Sequence, residues 1–381
     1  MERSIVHLDL DTFFVSCERI VNPQLNNRPL IIGGTAGRGV VASCSYEARM
    51  FGVRSAMPMG LALRLCPHAK VIKGDMELYS NYSKTVTQII EERAPVMEKA
   101  SIDEFYIDVS GMDKFFGCYK WTDELTQYIY KETQLPMSFA LSANKTVSKI
   151  GTGEAKPLGR LEIPPDKVKS FLDPLSVKKI PMVGEKTFQT LSRIGIRQIH
   201  TLAEMPIDVL QKMFGENGRV LWKKANGIDE TPVEQYEERK SISSEQTFDQ
   251  DTIDIPKLKS LLVAMVEKLA YQLRKEGWLA SIIAVKIRYA NFDTHTQQCS
   301  VPYTACDHKI IIKVHELFDK LFERRMRLRL IGIRFSGLVR GSYQIDLFES
   351  QERINLYQAI DKMRRRFGYN SVMLCAGMNL K

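Results

Sequence analysis

The stretch Ile5-Val6-His7-Leu8-Asp9-Leu10-Asp11-Thr12-Phe13-Phe14 limits the fold more than any other part of the chain. Ile5 to Leu10 is apolar enough for a core strand, yet a carboxylate sits inside it. Strand period two puts Ile5, His7, Asp9 and Asp11 on one face, with Val6, Leu8 and Leu10 on the other. Aspartate is a poor strand former and is costly to bury without a partner. The acidic face therefore needs a cation, an arginine or water against it.

A second acidic run, Ser101-Ile102-Asp103-Glu104-Phe105-Tyr106-Ile107-Asp108, poses the same problem. Adjacent carboxylates point to opposite faces of a regular strand, so a turn or strand start at Ser101-Ile102 is expected, letting Asp103 and Glu104 reach one cation. Two acidic sites on apolar strands suit a two-metal phosphoryl-transfer centre, with hard carboxylate oxygens as ligands for Mg²⁺. The ordinary alternative is that each acid caps a turn or pairs with a surface lysine. Cations for an anionic substrate are also present. Tyr46 and Arg49 share a helical face if Ser45 to Arg49 is helical, and arginine holds phosphate bidentately. Lys145 and Lys149 share a face of the next candidate helix, and Lys156 follows just before Pro157.

Composition narrows the partners. The 54 Lys and Arg against 45 Asp and Glu leave a formal charge of +9, which favours a polyanion. The seven cysteines are scattered, with no CxxC pair, so a reduced, cytoplasmic protein without zinc is expected. No apolar run approaches the roughly 18 residues of a membrane span, and the N-terminus lacks the pattern of a secretory signal.

Along the chain, the first part reads as mixed α/β. Strands are expected at Ile5–Leu10, in RPLIIGG and GVVASCSYE, in SIDEFYIDVS, and in SFALS. Helices are expected at Arg54–Cys66, Glu77–Arg93, from Trp121 through LTQYIYKET, and at Asn144–Ala155 with Pro157 as its stop. Short helices broken by Pro and Gly follow from Pro164 to Asp229, and Thr231 to Ser243 reads as a linker. A second α/β unit has helices at Leu258–Lys275 and His308–Met326 and strands in SIIAVKIRYANF, HTQQCSVPY and LRLIGIRFSGL. A tail ends it, with one helix at Glu352–Phe367.

HLDLDTFFVSCE, SYEARMFGVRSAMP, SIDEFYIDVS and SANKTVSKIGTGEAKP together resemble the Y-family translesion DNA polymerases, of the DNA polymerase IV and UmuC type, in order and approximate spacing. The resemblance implies an α+β right-hand polymerase plus an α/β little-finger domain: palm 1–16 and 78–166, fingers 17–77, thumb 167–233 with a helix-hairpin-helix, linker 234–240, little finger 241–345 and tail 346–381. It implies low-fidelity, template-directed extension of a primer 3′-OH with dNTPs and two Mg²⁺ ions. Asp9, Asp103 and Glu104 become the catalytic and metal-binding carboxylates, joined by the carbonyl of Leu10. Tyr46, Arg49 and Lys156 become the triphosphate ligands. Phe13 is placed beneath the incoming sugar, and Phe14 becomes the steric gate against a 2′-OH. Asp11 falls outside the ligand set.

Primer–template DNA is the expected macromolecular partner, gripped by a monomer. Gly184 and Lys186 fit the thumb hairpin, in which backbone N–H groups and a helix N-terminus meet phosphate; the family usually has glycine where Met182 stands. Arg325, Arg327 and Arg329 share a strand face before Arg334 and are expected to meet the duplex. Gln344, Leu347 and Phe348 resemble the peptide with which bacterial polymerases dock to the sliding clamp. Two other readings are a nucleotidyl cyclase, which shares the acidic palm, and a non-catalytic DNA-repair factor on a polymerase fold. The hairpin and arginine row weigh against the first, and intact Asp9, Asp103 and Glu104 against the second.

Overall fold

The computed structural model of the chain describes residues 3–34, 37–112, 117–235, 239–324, 326–341 and 351–377. Contacts divide it into two compact units, Met1–Glu237 and Glu238–Lys381.

In the first unit, β1 (Ile5–Leu10) is buried along its whole length and runs almost directly into helix α1 (Phe13–Val21). Next come β2 (Leu30–Gly33), β3 (Val41–Cys44), helices α2 (Tyr46–Met50) and α3 (Met59–Leu65), and β4 (Lys70–Ile72). These strands make a small sheet in the order β3–β2–β4 over a core that includes Ile31, Val41, Val53 and Met59. The helix expected from Arg54 starts only at Met59, because Pro58 disfavours helical backbone at the residue before it.

Helix α4 (Met76–Glu91) is capped by Asp75, whose side chain accepts from the N–H groups of Glu77 and Leu78. The antiparallel pair β5 (Val96–Lys99) and β6 (Glu104–Asp108) leads through α5 (Cys118–Thr133) to β7 (Met137–Ser142), α6 (Lys145–Ala155) and β8 (Arg160–Ile163). The main sheet runs β5–β6–β1–β7–β8, antiparallel except for the last pair. Helix α6 starts on an Asn144 cap and stops before Pro157, as its sequence requires. It lies tight on the sheet at Gly151, where a Cβ would come within 2.8 Å of the Ala140 Cβ and 2.7 Å of Ile163. Five short helices complete the unit: α7 (Val168–Leu172), α8 (Glu185–Arg193), α9 (Ile199–Ala203), α10 (Ile207–Phe214) and α11 (Glu216–Ala225). Their core joins that of α6 through Val147 and Ile150.

The second unit is a four-stranded antiparallel sheet in the order β11–β10–β12–β9, formed by β9 (Ser241–Thr252), β10 (Trp278–Tyr289), β11 (Thr294–Thr304) and β12 (Leu328–Arg340). Helices α12 (Ile255–Glu276) and α13 (Asp307–Leu321) share its core. Strand β9 was not expected from its polar sequence. It is an edge strand that sends only Ile242 and Phe248 into the core. Helix α13 ends at Leu321 rather than Met326, where Phe322 turns back to stack on Phe318, 5.6 Å away.

The expected tail is an integral part of this unit. Helix α14 (Gln351–Phe367) buries Tyr357, Asp361 and Arg364, and its buried face is ionic rather than apolar. Arg274 of α12 donates to Asp361 at 2.7 Å and to Asp307 at 2.6 Å. Arg364 donates to Glu267 of α12 at 2.7 Å, and the Leu374 N–H donates to the same carboxylate. Burial pushes Asp307 up to about 6, against the pull of Arg274. Removing one member of such a buried pair strands the other. Glu267→Ala should therefore cost about 3–5 kcal/mol, read in denaturant unfolding of the full chain; a loss under about 1 kcal/mol would mean that α14 is only loosely attached.

Candidate active site

The two acidic runs meet on the main sheet. Asp9 of β1 lies directly across from Glu104 of β6 on one side and Ser138 of β7 on the other. The expected turn is present: the N–H groups of Ala100 and Ser101 both donate to the Glu104 carbonyl, so the chain doubles back just before β6. Asp103, at that corner, accepts from Ser101 Oγ at 2.6 Å, and its carbonyl accepts the Leu10 N–H at 3.0 Å. Asp9, Leu10, Asp103 and Glu104 are thus gathered at one end of the β1–β6 pair.

Lysines of α6 and its C-terminus neutralise this charge. Lys156 pairs with Asp9, Lys149 pairs with Glu104 at 2.5 Å, and Lys145 pairs with Glu98 at 2.7 Å. Among the described residues, no three carboxylate, imidazole or thiol side chains converge closely enough to grip one ion as they stand. Each carboxylate turns instead to its own donor. Their mutual field still marks them as a set. Burial pushes Asp9 up to about 7, and the charges of Glu104 and Asp103 push the same way against Lys156. Glu104 is held down to about 2 by His7 and Lys149. Nε2 of His7 stands 4.0 Å from the carboxylate, and neither ring nitrogen has a hydrogen-bond partner. Burial keeps that imidazole below its ordinary value. An oxygen-only set of three carboxylates suits a hard divalent cation.

The substrate-side residues flank this centre. Tyr46 and Arg49 lie on α2, capped by the buried Ser45, with the guanidinium 5.0 Å from the Tyr46 ring. An Arg19–Glu47 ion pair at 2.9 Å ties α1 to α2. Phe13 is buried in the main core, whereas Phe14 is half-buried. The Phe14 ring stacks on Tyr79 with centroids 4.4 Å apart and planes 12° from parallel, and the Tyr79 hydroxyl donates to Glu18 at 2.6 Å. Phe14 and Glu18, one turn apart on α1, thereby clamp Tyr79. Sequence reasoning missed Tyr79, Glu18, Ser101 and His7. The first two lie far apart in the chain, and nothing local in either marks the contact.

The expected DNA contacts lie elsewhere in each unit. Gly184 caps α8, with open space where a Cβ would be, and Lys186 is exposed. The arm before the hairpin is a single 3₁₀ turn, Val177–Lys179. The hairpin closes through a Val183 N–H bond to the Ile180 carbonyl, with Pro181 and then Met182 at its corners. Met182 has φ +81°, the left-handed backbone that position takes in a type II turn and that glycine adopts without strain. In the second unit, Arg329 stands in a bulge of β12, between the pairs Tyr289–Leu328 and Arg288–Leu330. The extra residue shifts the alternation, so the regular row expected of Arg327 and Arg329 before Arg334 is broken. Arg334 is exposed, Arg327 is exposed just ahead of the strand, and Arg329 is half-buried, 4.5 Å from the Phe292 ring. Arg325, Gln344, Leu347 and Phe348 lie outside the described residues.

Comparison with known proteins places this architecture. The impB/mucB/samB family model matches residues 8–153, which hold every acidic residue of the centre, and the C-terminal domain model of that family matches residues 239–347. This chain belongs to the Y-family DNA polymerases. It is 36% identical over 384 residues to the DNA polymerase IV of Dehalococcoides mccartyi (strain CBDB1), covering 100% of this chain and 98% of that protein. It is also 36% identical over 343 residues to the DNA polymerase IV 2 of Methanosarcina mazei, covering 88% and 93%. A solved Y-family DNA polymerase chimera, Dbh-Dpo4(243-245)-Dbh, shares the fold with a TM-score of 0.76 at 24% identity, over 89% of this chain and 100% of that one. The α+β polymerase architecture expected from the sequence is the one observed. No helix among the described residues of this Y-family polymerase is long and apolar enough to cross a membrane.

Met182 is 66% exposed, so replacing it loses little packing. Met182→Gly should stabilise the polymerase by about 1 kcal/mol, because a non-glycine residue in left-handed backbone costs roughly that much. A melting temperature that falls would show that the methionine side chain holds the turn.

Proposed function

We propose that the chain is a DNA-directed DNA polymerase of translesion synthesis that extends a primer 3′-OH by two-metal phosphoryl transfer. The observation that carries this reading is the meeting of Asp9, Asp103 and Glu104 at one end of β1–β6, beside Tyr46, Arg49 and Lys156. Asp9, Asp103 and Glu104, with the Leu10 carbonyl, would hold two Mg²⁺ ions, Glu104 on the catalytic one and the Leu10 carbonyl on the nucleotide-side one. Bound Mg²⁺ supplies Lewis acidity and neutralises phosphate charge. Tyr46, Arg49 and Lys156 hold the triphosphate while the 3′-OH attacks the α-phosphate and pyrophosphate leaves. The work of the protein is positioning and charge compensation.

Phe13 forms the floor under the sugar, and Phe14, braced by Tyr79, fills the space a 2′-OH needs. Gly184, Lys186, Arg327, Arg329 and Arg334 supply duplex contacts, with Arg325 added from sequence alone. Gln344, Leu347 and Phe348 form the clamp peptide of this reading, for a monomer working in the cytoplasm.

Single-nucleotide extension of a labelled primer–template tests the reading. Wild type should incorporate the template-matched dNTP, Asp103→Ala should abolish extension, and Phe14→Ala should raise ribonucleotide use by about a hundredfold or more while leaving dNTP use largely intact. Absence of extension by folded, DNA-binding wild type would leave the non-catalytic repair factor.

The acidity of Asp9 gives a second test. Burial pushes its carboxyl up to about 7, so below that pH metal binding must displace its proton. The Mg²⁺ concentration for half-maximal extension should rise about tenfold per unit as pH falls below 7 and level off above 8. A requirement flat from pH 6 to 8 would show that Asp9 is already ionised over that range, against the effect of its burial.

A further inference from the structure

We infer that Asp11 is a positioning residue that holds the two arms of the triphosphate site, Tyr46 on α2 and the Lys156–Leu158 segment after α6, in one frame. The inference rests on the polymerase reading above.

Asp11 is only 1% exposed and lies just past the end of β1. Its carboxylate is fully engaged by donors from three elements. Oδ2 accepts from Ser138 Oγ at 2.8 Å and from the Leu158 N–H at 2.7 Å, and Oδ1 lies 3.4 Å from the Tyr46 hydroxyl. Ser138 Oγ in turn accepts the Gly159 N–H at 3.2 Å, which extends the grip along the same segment. The backbone of Asp11 is anchored too: its N–H donates to the Pro136 carbonyl at 2.8 Å, and its carbonyl accepts from Ser16 Oγ at 2.8 Å. A carboxylate held this way is a fixed acceptor rather than a spare metal ligand.

The backbone geometry on both sides agrees. Thr12 has φ +44°, an uncommon conformation for a β-branched residue, and this abrupt turn follows directly after Asp11. Leu158 has φ +53° and a side chain 63% exposed, so packing does not hold it there. A cavity of about 940 Å³ is lined by Asp11, Tyr46 and Leu158, so Tyr46 and Leu158 each have a side on open space. Strained or unsupported groups keep their place only when neighbours over-determine them; here the Asp11 hydrogen bonds do so. Asp9 and Asp11 thus act on the same short segment. Asp9 takes the Lys156 ammonium, and Asp11 takes the N–H two residues later.

Asp11→Asn tests this, since the amide keeps the shape but faces one of these donors with another donor. Steady-state extension should show the KM for dNTP raised about tenfold or more, with kcat changed less than about threefold, as expected for lost charge-assisted bonds. Primer–template affinity should be unchanged. Because the arms act through Asp11, the effect should shrink markedly in a Tyr46→Phe or Lys156→Ala background. Ser138→Ala, which removes one donor and leaves the carboxylate, should raise the same KM by a smaller factor and serves if Asp11→Asn does not fold. A dNTP KM within twofold of wild type for both variants, or the same factor in every background, would overturn the inference. So would equal losses of kcat, DNA affinity and melting temperature, which would assign Asp11 to the fold alone. These results presuppose template-directed extension by wild type; its absence would instead overturn the polymerase reading.

Discussion

The first unit depends on the repulsion among three carboxylates that its main sheet brings to one end. Antiparallel pairing of β1 with β6 sets Asp9 against Glu104, and the turn before β6 adds Asp103. Like charges this close are tolerated only when compensated. Compensation comes from one helix and the residue after it. Lys149 takes Glu104 and Lys156 takes Asp9, while Lys145 reaches back to Glu98 at the neighbouring edge of the sheet. The tight seat of α6 at Gly151 keeps these lysines within reach. Packing and electrostatics meet at that glycine.

The same logic connects the substrate side. Two lysines stand against three carboxylates, so Asp103 is left with the Ser101 hydroxyl and the centre is only partly compensated. Phe14 and Tyr79 are held separately from it, because the stacked rings and Glu18 support each other without those three carboxylates.

Much of this was legible in the sequence, for identifiable reasons. Asp9 within an apolar strand and the Asp103-Glu104 pair after a turn each violate local propensity, and both fall in the centre. Pro157 ends α6 where it should, and the capping residues Asp75 and Asn144 start α4 and α6. Legibility failed where a contact spans distant segments or a register shifts. Asp11 looked like one more residue on the strand face, but β1 ends at Leu10 and the next turn redirects it. The alternation of the arginines does not disclose the bulge at Arg329, which only strand pairing reveals. Strand β9 was invisible because an edge strand needs few apolar residues. The ionic face of α14 gave no apolar stripe toward the core by which to expect its docking.

That ionic face has a consequence for where the chain can be divided. The second family match ends at residue 347, before α14 begins. A fragment cut there would leave Arg274 with Asp307 alone and Glu267 with no arginine, a charge shaped for burial and deprived of its counterion. The smallest portion of the second unit able to stand alone is therefore longer than its family module. Its boundary is drawn by the Glu267–Arg364 ion pair rather than by the end of the sheet.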